Sequence, residues 1–166
     1  MNIENNKDQF MENSWLTRQL DLIPLEVLGE PITIIGAGAI GSFTALSLAK
    51  MGFNNITVYD HDKIDVENMN CQFYRFKDIG KPKVQALKEL VQEFTGTEIT
   101  AKNELYKTGT FRGIVISAVD SMAVRKMIWE EHKEIAITTK LVIDPRMGAE
   151  SALIYAMSPL NVKDIE

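Results

Sequence analysis

The sequence predicts an α/β domain in which a mostly parallel β-sheet carries helices on both faces. Two observations predict it: strand-like and helical patterns alternate along the chain, and most of the strand-like runs are almost continuously apolar. Such runs are typical of strands that a parallel sheet buries on both faces. The predicted strands cover residues 31–36, 55–60, 97–102, 113–118, 140–144 and 151–157, and the predicted helices cover 39–51, 81–95 and 121–133.

The segment before the first strand predicts an additional helix. Between Asp8 and Leu22 the apolar residues recur at spacings close to those of a helical stripe, and Pro24 and Pro31 interrupt the chain ahead of the sheet. We therefore expect residues 1–30 to be a helical extension and residues 31–166 to be the main domain. Residues 158–166 contain no closing element, so either the sheet is complete without them or the sequence is the front part of a longer protein.

The turn after the first predicted strand carries the glycine pattern Gly36-x-Gly38-x-x-Gly41. Gly36 permits a tight turn, Gly38 lets the backbone approach a phosphate, and Gly41 lets the following helix pack closely on the strand. The helix N-terminus then offers free N–H groups and a positive dipole end to phosphate oxygens. Asp60 ends the next apolar run, where it can accept hydrogen bonds from ribose hydroxyls. This order of elements predicts a Rossmann-like nucleotide-binding unit, the alternative being a tight turn without a ligand.

The composition limits the classes of partner and compartment. The 166 residues are 45% hydrophobic and 25% charged, which is typical of a water-soluble domain, and the net charge of −5 disfavours nucleic acid or an anionic membrane as the main partner. Cys71 is the single cysteine, so an internal disulfide and a Cys-x-x-Cys zinc site are excluded. The sequence has no apolar run long enough for a membrane helix and begins with no signal-like pattern, so we expect a cytoplasmic protein.

Further motifs follow the glycine turn in a fixed order. They are Asp60-His61-Asp62, Asn68-Met69-Asn70-Cys71-Gln72, Ile79-Gly80-Lys81-Pro82-Lys83, an Asp120 after the fourth strand, and Arg146-Met147-Gly148, with Arg18-Gln19 upstream. Together they resemble the ubiquitin-activating-enzyme-like adenylyltransferases, the family of ThiF, MoeB and HesA. The resemblance covers roughly residues 15 to 157.

The resemblance implies a specific reaction. Members of this family let a carboxylate attack the α-phosphate of Mg·ATP, which gives an acyl-adenylate and pyrophosphate. The carboxylate is usually the C-terminal glycine of a small ubiquitin-like or sulfur-carrier protein. Positioning, a metal ion and cations on the phosphates carry such a step.

The resemblance also implies roles for individual residues. Gly36, Gly38 and Gly41 would cradle phosphate, and Asp60 would hold the ribose. The remaining roles fall to polar and charged side chains: Asn68 and Gln72 on phosphate or ribose oxygens, Lys83 on the β- and γ-phosphates, Asp120 on Mg²⁺, and Arg18 on the phosphates of the other protomer of a homodimer.

One residue departs from the family pattern. Cys71 stands where the family has an arginine, and Arg75 or Lys77 could replace it only by reaching into the site. The loss of a guanidinium from the phosphates weakens phosphoryl-transfer chemistry. A catalytically degenerate member that serves as a binding or dimerisation partner is therefore the main alternative, ahead of an NAD(P)-dependent oxidoreductase.

Several residues also have simpler interpretations. Asp120 could cap the helix that follows it, and Lys83 could be an ordinary solvated lysine. Arg18 could pair with Asp21 or Glu26 on the surface. A thioester on Cys71 is a minor alternative, since family members that form one use cysteines well downstream of this motif.

Overall fold

The computed structural model describes residues 14–107, 112–134 and 138–159, and a six-stranded sheet organises them. The strands lie in the order β3-β2-β1-β4-β5-β6, with β1–β5 parallel and β6 antiparallel to β5. Their bounds are β1 Ile32–Ile35, β2 Ile56–Tyr59, β3 Thr100–Lys102, β4 Gly113–Ser117, β5 Thr139–Gly148 and β6 Ser151–Met157.

Three helices cover the two faces of the sheet. They are α1 (Ala39–Lys50), α2 (Lys83–Thr95) and α3 (Met122–Glu134). The larger apolar cluster joins α1 and α2 to one face through Ala45, Leu87 and Ile34. The smaller cluster packs Ile128 of α3 against Val115 on the opposite face. The predicted α/β class, with a mostly parallel sheet between helices, is confirmed.

The position of each strand explains its sequence pattern. All four residues of β1 are buried because β1 lies between β2 and β4 and under helices on both faces. By contrast, β6 lies at the edge of the sheet and is exposed along nearly its whole length. In the described part of the chain, no helix is both long and apolar enough to span a bilayer.

The centre of the sheet also fixes where a ligand can bind. The chain passes from β1 outward to β2 and β3, then returns to the other side of β1 to form β4 and β5. The strand order therefore reverses at β1, and the loops after β1 and β4 leave a crevice between them. Open α/β sheets bind ligands at such a crevice, beyond the carboxyl ends of the strands.

The predicted N-terminal helix differs from the structure. From Ser14 onward the chain forms a 3-10 helix at Ser14–Leu16, then turns, and a second 3-10 helix at Leu25–Val27. Leu16 is buried, whereas Leu22 is 83% exposed, so the apolar residues do not form one buried stripe and no continuous helix is stabilised. Residues 8–13 of the predicted helix lie outside the described residues.

The fifth strand is longer than predicted. The sequence predicts a strand over 140–144, whereas β5 continues through Pro145 to Gly148. Proline is usually excluded from the middle of a sheet because it cannot donate a backbone hydrogen bond. Here the pairing of β5 with β4 ends at Ile143, and the remaining residues pair with β6 alone, so Pro145 is tolerated.

Candidate functional site

A cavity of about 510 Å³ opens at the carboxyl ends of the central strands. Its walls include the glycine turn after β1, the loop after β2 and the loop between β4 and α3. Six of the predicted site residues lie close enough to line it: Gly36, Gly38, Asp60, Gln72, Lys83 and Asp120.

Backbone packing around the turn requires glycine at two of its positions, Gly36 and Gly41. Gly36 has φ +99°, and a Cβ on it would lie 2.6 Å from the carbonyl oxygen of Ala118 in the loop after β4. A Cβ on Gly41 would lie 1.9 Å from the carbonyl oxygen of Gly36. A side chain at either position would therefore push the turn away from β4 or from α1.

Gly38 differs from the other two glycines. It is the N-cap of α1, and a Cβ built on it has no other atom within 4 Å. The space that its side chain would occupy belongs to the cavity, beside the first N–H groups of α1. No packing contact excludes a side chain at this position, so glycine here leaves room for a close approach by a ligand.

Asp60 and Tyr74 fix the turn from both sides. The Asp60 carboxylate accepts a hydrogen bond from the Ala37 N–H at 2.7 Å and another from the Asp62 N–H at 2.8 Å. The Tyr74 hydroxyl donates to the Ala37 carbonyl at 2.6 Å, and burial raises the pKa of that hydroxyl. With both polar groups of Ala37 engaged, the turn is held in place before any ligand binds.

Lys83 lies at the start of α2 and is almost fully buried. Its ammonium group contacts the Asp62 carboxylate at 2.9 Å, and its backbone N–H donates to the Asp62 carbonyl at 2.9 Å. The hydrogen bond from the Lys83 ammonium group to the Asp62 carboxylate holds the pKa of the Asp62 carboxyl below its usual value. Since the ammonium lines the cavity and is 9% exposed at its side chain, it is a positioned cation rather than a freely solvated lysine.

A salt-bridge network centred on the buried Asp78 supports the loop before Lys83. The fully buried Asp78 accepts a hydrogen bond from Arg75 at 2.5 Å and contacts the Lys81 ammonium at 3.0 Å. Arg75 and Lys81 also pair with Glu93 and Glu89 on α2. The network ties the loop to α2 at the point where that helix begins.

Gln72 and Asn68, which share one motif, have different surroundings. Gln72 lines the cavity, and its Oε1 atom is buried without a hydrogen-bond partner among the described residues. Asn68 instead completes a capping box, in which its Oδ1 accepts from the Asp65 N–H at 2.9 Å. Asn68 does not line the cavity, so only Gln72 is placed for a ligand in this arrangement.

The position of the missing arginine is left without a substitute. Cys71 is exposed and does not line the cavity, and its Sγ lies 3.9 Å from the Asn68 carbonyl oxygen. Arg75 is held by Asp78 and Glu93 on the outer side of α2, and Lys77 is exposed elsewhere. Neither of these two candidate replacements lines the cavity.

Asp120 lies in the loop after β4 and faces the cavity. The neighbouring Ser121 caps α3, because its hydroxyl accepts from the Val124 N–H at 3.4 Å. The alternative that Asp120 caps this helix is therefore wrong. Within the described ranges the Asp120 carboxylate is exposed and has no hydrogen-bonded or ion-paired partner, which leaves both oxygens available to a cation.

Arg125 anchors that same loop. Its guanidinium donates to the carbonyls of Ser117 (3.0 Å), Pro145 (3.0 Å) and Val119, and it forms a buried ion pair with Asp144. These contacts fix the backbone on either side of Ala118, against which Gly36 packs. Arg125 is thus a structural ion-pair residue that also shapes the cavity wall.

Arg18 lies away from this cavity. It is exposed, does not line the cavity, and among the described residues it pairs with neither Asp21 nor Glu26. The surface ion pairs considered for it are therefore not formed.

Two tyrosines form a wall that the sequence did not predict. Tyr59 and Tyr106 pack edge to face with ring centroids 5.9 Å apart, and the Tyr106 hydroxyl donates to Glu131 of α3. Burial raises the pKa of both hydroxyls. Both rings line the cavity and give it an aromatic surface of the kind that accommodates a planar base.

A possible metal-binding group lies at the edge of the cavity. Ligand atoms of Asp60, His61 and Asp62 all lie within 4.8 Å of one another. The Asp60 carboxylate already accepts from two backbone N–H groups and the Asp62 carboxylate from Lys83, so an ion at this group would compete with these bonds.

Comparisons with known proteins agree with the geometry. The sequence profile of the ThiF family matches residues 27–141. The NEDD8-activating enzyme E1 catalytic subunit of Arabidopsis thaliana is 37% identical over 105 residues, covering 58% of this chain and 23% of that protein. The SUMO-activating enzyme subunit 2 of Dictyostelium discoideum is 33% identical over 106 residues, covering 58% of this chain and 16% of that protein. The chain therefore spans about a quarter or less of the length of these curated relatives.

Solved structures show the same fold. The crystal structure of PaaA superposes with a TM-score of 0.76 at 21% identity, over 92% of this chain and 53% of that one. The tRNA N6-threonylcarbamoyladenosine dehydratase TcdA of E. coli superposes with a TM-score of 0.71 at 20% identity, over 84% of this chain and 63% of that one. The family match covers more than half of the sequence, and the chain belongs to the ThiF family.

Proposed function

We propose that this chain adenylates a carboxylate at the expense of ATP. The observation that carries the proposal is Gly38, whose open side faces the cavity at the N-terminus of α1, with Lys83 and Asp120 on the same cavity. Backbone N–H groups, a helix dipole and an ammonium group are the features that bind a polyphosphate.

The nucleoside fits the polar groups beside the turn. The buried Gln72 Oε1 lacks a donor, and a ribose hydroxyl would supply one, whereas an ionised phosphate oxygen has no proton to donate. Asp60 keeps lone pairs beyond those that accept from Ala37 and Asp62, so it can accept from the second ribose hydroxyl. The aromatic wall of Tyr59 and Tyr106 would lie against the adenine.

The phosphates would lie between α1 and α2. The N–H groups after Gly38 would bind them at one end, and the Lys83 ammonium would contact the β- and γ-phosphates at the other. Asp120, directly or through water, would hold Mg²⁺, which neutralises charge as it develops on the phosphates.

The reaction needs positioning more than proton transfer. A carboxylate oxygen of the acyl substrate forms a bond to the α-phosphorus, the bond from that phosphorus to its bridging oxygen breaks, and pyrophosphate leaves with the electron pair. The attacking carboxylate is already ionised at pH 7, so the chain has to supply no general base. We propose a ubiquitin-like or sulfur-carrier protein C-terminus as the substrate, a proposal supported by relatives named as NEDD8- and SUMO-activating enzymes.

A second candidate function has its own observation. The family arginine is absent at Cys71, and neither Arg75 nor Lys77 lines the cavity. A degenerate member would retain the nucleotide site and act by binding an active partner chain. It would bind Mg·ATP without turning it over.

We propose that the exposed Arg18 acts across a dimer interface. Residues 31–166 would form the nucleotide-binding domain, and residues 1–30 would carry Arg18 to the phosphates of a second protomer. This arrangement would make the protein a homodimer. It would also bring a free guanidinium to the cavity, whose lining arginine, Arg125, is already paired with Asp144. Light scattering of the purified chain measures the assembly directly.

Thermal unfolding with different ligands tests the proposed function first. We expect Mg·ATP to raise Tm by a few degrees at about a hundredfold excess over its dissociation constant, and NAD⁺ and NADP⁺ to leave it unchanged. A rise with NAD⁺ or NADP⁺ alone would overturn the proposal in favour of an oxidoreductase. Pyrophosphate release in the presence of ubiquitin-like proteins then separates the adenylyltransferase from the degenerate member, and Asp120→Ala should abolish that release without lowering Tm.

A further inference from the structure

The two edges of the sheet differ in how well they are protected. β3, at one edge, has three residues and ends in Lys102, whereas β6, at the other edge, has seven residues. Natural proteins protect an exposed edge strand by keeping it short, by placing charges or proline in it, or by a bulge. β6 contains no charged residue and no proline, and its pairing with β5 runs without a register shift. Among the described strands, none pairs with its outer side, so this edge is open to a further strand.

Apolar side chains lie on both faces of β6. Leu153 and Tyr155 are on one face and Ile154 is on the other, because successive side chains of a strand point to opposite faces. All three side chains are exposed, and Ile154 is 73% exposed. A strand that covered the free edge would therefore bury apolar surface on both faces of the sheet and would also satisfy the backbone.

The hydrogen-bond pattern of the β5–β6 hairpin shows which backbone groups face outward. Residues of an antiparallel strand bond alternately to one side and to the other. Ser151 pairs with Gly148 across a two-residue turn, and the pair that closes such a turn exchanges its hydrogen bonds, so Ser151 and every second residue after it bond to β5. Pro145, which has no N–H to donate, lies opposite Ile154 and fits this alternation. The residues that direct their N–H and C=O groups outward are Ala152, Ile154 and Ala156.

The outward groups of β6 are complementary to a copy of themselves. We propose that β6 pairs with β6 of a second copy of this chain, antiparallel about a two-fold axis at Ile154. Ile154 then lies opposite the partner's Ile154, and Ala152 lies opposite the partner's Ala156. The three pairs exchange two hydrogen bonds each, so every outward N–H and C=O group of these residues is satisfied. Between these pairs Leu153 packs against the partner's Tyr155, which joins two large apolar side chains.

The charge of the chain favours β6 as the place where two copies meet. The chain carries −5, so two copies repel each other over most of their surfaces. Ser151–Met157 is neutral, and the nearest charged residue in sequence is Glu150, four residues from the axis. The Glu150 residues of the two copies are then about 27 Å apart along the strands, well beyond the screening length of about 8–10 Å. The pairing therefore joins two acidic chains without placing carboxylates opposite each other.

The β6 edge is separate from the surfaces described above. No residue of β6 lines the cavity at the glycine turn, so the pairing needs no nucleotide. The segment that carries Arg18 packs at the end of α1, where Gln19 donates to the Met51 carbonyl, whereas β4 and β5 lie between β6 and β1. A contact through β6 is therefore independent of the proposed function and of the arrangement proposed for Arg18.

Light scattering of the wild type and of two variants tests the pairing. The wild type should have at least twice the 18.7 kDa mass of one chain at micromolar concentration. Ile154→Lys places two ammonium groups opposite each other on the axis, so it should weaken the association about tenfold or more and halve the mass. Phe76→Lys is the matched control, because Phe76 is also 73% exposed but lies in the loop before α2. Circular dichroism should show both variants folded, since both positions are exposed.

A mixture of two variants tests the register and the identity of the occupant. Ile154→Glu alone should dissociate for the same reason as Ile154→Lys, whereas an equimolar mixture of the two places an ammonium group opposite a carboxylate. The mixture should recover the wild-type mass, and added salt should weaken this recovery. The recovery is expected when residue 154 lies opposite its own copy.

Hydrogen exchange provides a measurement without substitutions. The amide of Ile154 should exchange slowly in the paired state and rapidly after dilution, whereas the amide of Tyr155, which bonds to β5, should respond less to dilution. Protection of the Ile154 amide that does not change on dilution would overturn the proposal, because another segment of the same chain would then cover the edge.

The remaining outcomes separate the β6 pairing from the nucleotide site. A wild-type monomer at micromolar concentration would overturn the pairing, as would an unchanged mass in Ile154→Lys, an equal loss in Phe76→Lys, or a mixture that stays dissociated. The Mg·ATP-induced rise in Tm does not involve β6, so Ile154→Lys should retain it. A failure of the pairing and a failure of the proposed function are therefore read from different measurements.

Discussion

Alanine substitutions at Gly36, Gly38 and Gly41 should impair the protein in two different ways, and this difference tests the nucleotide site most directly. A Cβ on Gly38 meets no other atom within 4 Å, so Gly38→Ala should fold normally. If a phosphate lies against Gly38, the new methyl group would occupy its place, and nucleotide binding would be lost with little loss of stability. Gly41→Ala should instead damage the fold.

The magnitudes follow from the contacts. The Cβ of Gly41→Ala would lie 1.9 Å from the backbone oxygen of Gly36, and a clash with backbone cannot be relieved by a rotamer change. Overpacking of this kind costs about 1–3 kcal/mol or more, against which the better helix propensity of alanine returns only about 1 kcal/mol. Gly36→Ala adds the left-handed φ of +99°, a further cost of about 1–2 kcal/mol. Gly38 is the N-cap of α1, where alanine is less favourable than glycine, so Gly38→Ala should lower the free energy of unfolding by about 1 kcal/mol or less.

Urea unfolding and Mg·ATP titration measure the two effects separately. We expect the urea midpoint of Gly38→Ala to lie close to that of the wild type, well above that of Gly41→Ala, and its Mg·ATP-induced rise in Tm to disappear. Gly41→Ala should unfold at lower urea concentration, with Tm lower by several degrees. Normal Mg·ATP binding by Gly38→Ala would refute the reasoning, because it would show that no ligand group approaches this residue.

Three other substitutions follow from the same geometry. Lys83→Ala should weaken Mg·ATP binding about tenfold or more in calorimetry, because it removes a charged hydrogen-bond donor. Lys63→Ala, a substitution at an exposed neighbour, should not weaken binding. Equal effects of the two substitutions would contradict the assignment of Lys83 to the phosphates. Asp78→Asn should lower the free energy of unfolding at pH 7 by about 1–3 kcal/mol, since it breaks a buried pair whose cationic partners are part-exposed. The hydrogen bond from Arg75 holds the pKa of the Asp78 carboxyl below its usual value, so the wild type loses this stabilisation as the pH falls through that lowered pKa. In urea melts the difference in free energy of unfolding between the wild type and Asp78→Asn should therefore shrink over that pH range. A difference that stays constant with pH would contradict the role given to this ion pair. Cys71→Arg should tighten Mg·ATP binding or speed pyrophosphate release if the family position still faces the phosphates, and no change in either would place this residue outside the site.

The sequence predicted those parts of the fold that local patterns encode. Apolar runs located β1, β2 and β4, and the glycine turn with Asp60 located the edge of the sheet where the cavity lies. The apolar spacing from Asp8 to Leu22 predicted a helix, whereas the described part of this segment forms only the 3-10 helix at Ser14–Leu16, because one leucine rather than a stripe is buried. The length of β5 depends on its pairing with β6, which a single-strand pattern does not contain.

The site residues that sequence reasoning missed act through distant partners. Asp62 lies in the quoted Asp60-His61-Asp62 motif, but its role as the partner of Lys83 requires residues far apart in sequence to meet. Tyr74 donates a hydrogen bond to Ala37 across a separation of 37 residues, and no local sequence spacing predicts this contact. The motif suggests that Asn68 contacts a ligand, whereas in this structure its side chain forms a local capping box.

The electrostatics of the cavity support a role for the proposed Mg²⁺ in nucleotide binding as well as in the reaction. Four carboxylates and two cationic side chains line the cavity, and one of those cations, Arg125, is already paired with Asp144. The other, Lys83, is shared with Asp62, so the chain alone offers a triphosphate little net positive charge beyond the dipole of α1. Asp120 has no hydrogen-bonded or ion-paired partner among the described residues, and without a cation it would repel a phosphate bound in the cavity. If Mg²⁺ binds at Asp120 as proposed, free ATP in the presence of a chelator should bind far more weakly than Mg·ATP, and equal binding would contradict the proposed metal site.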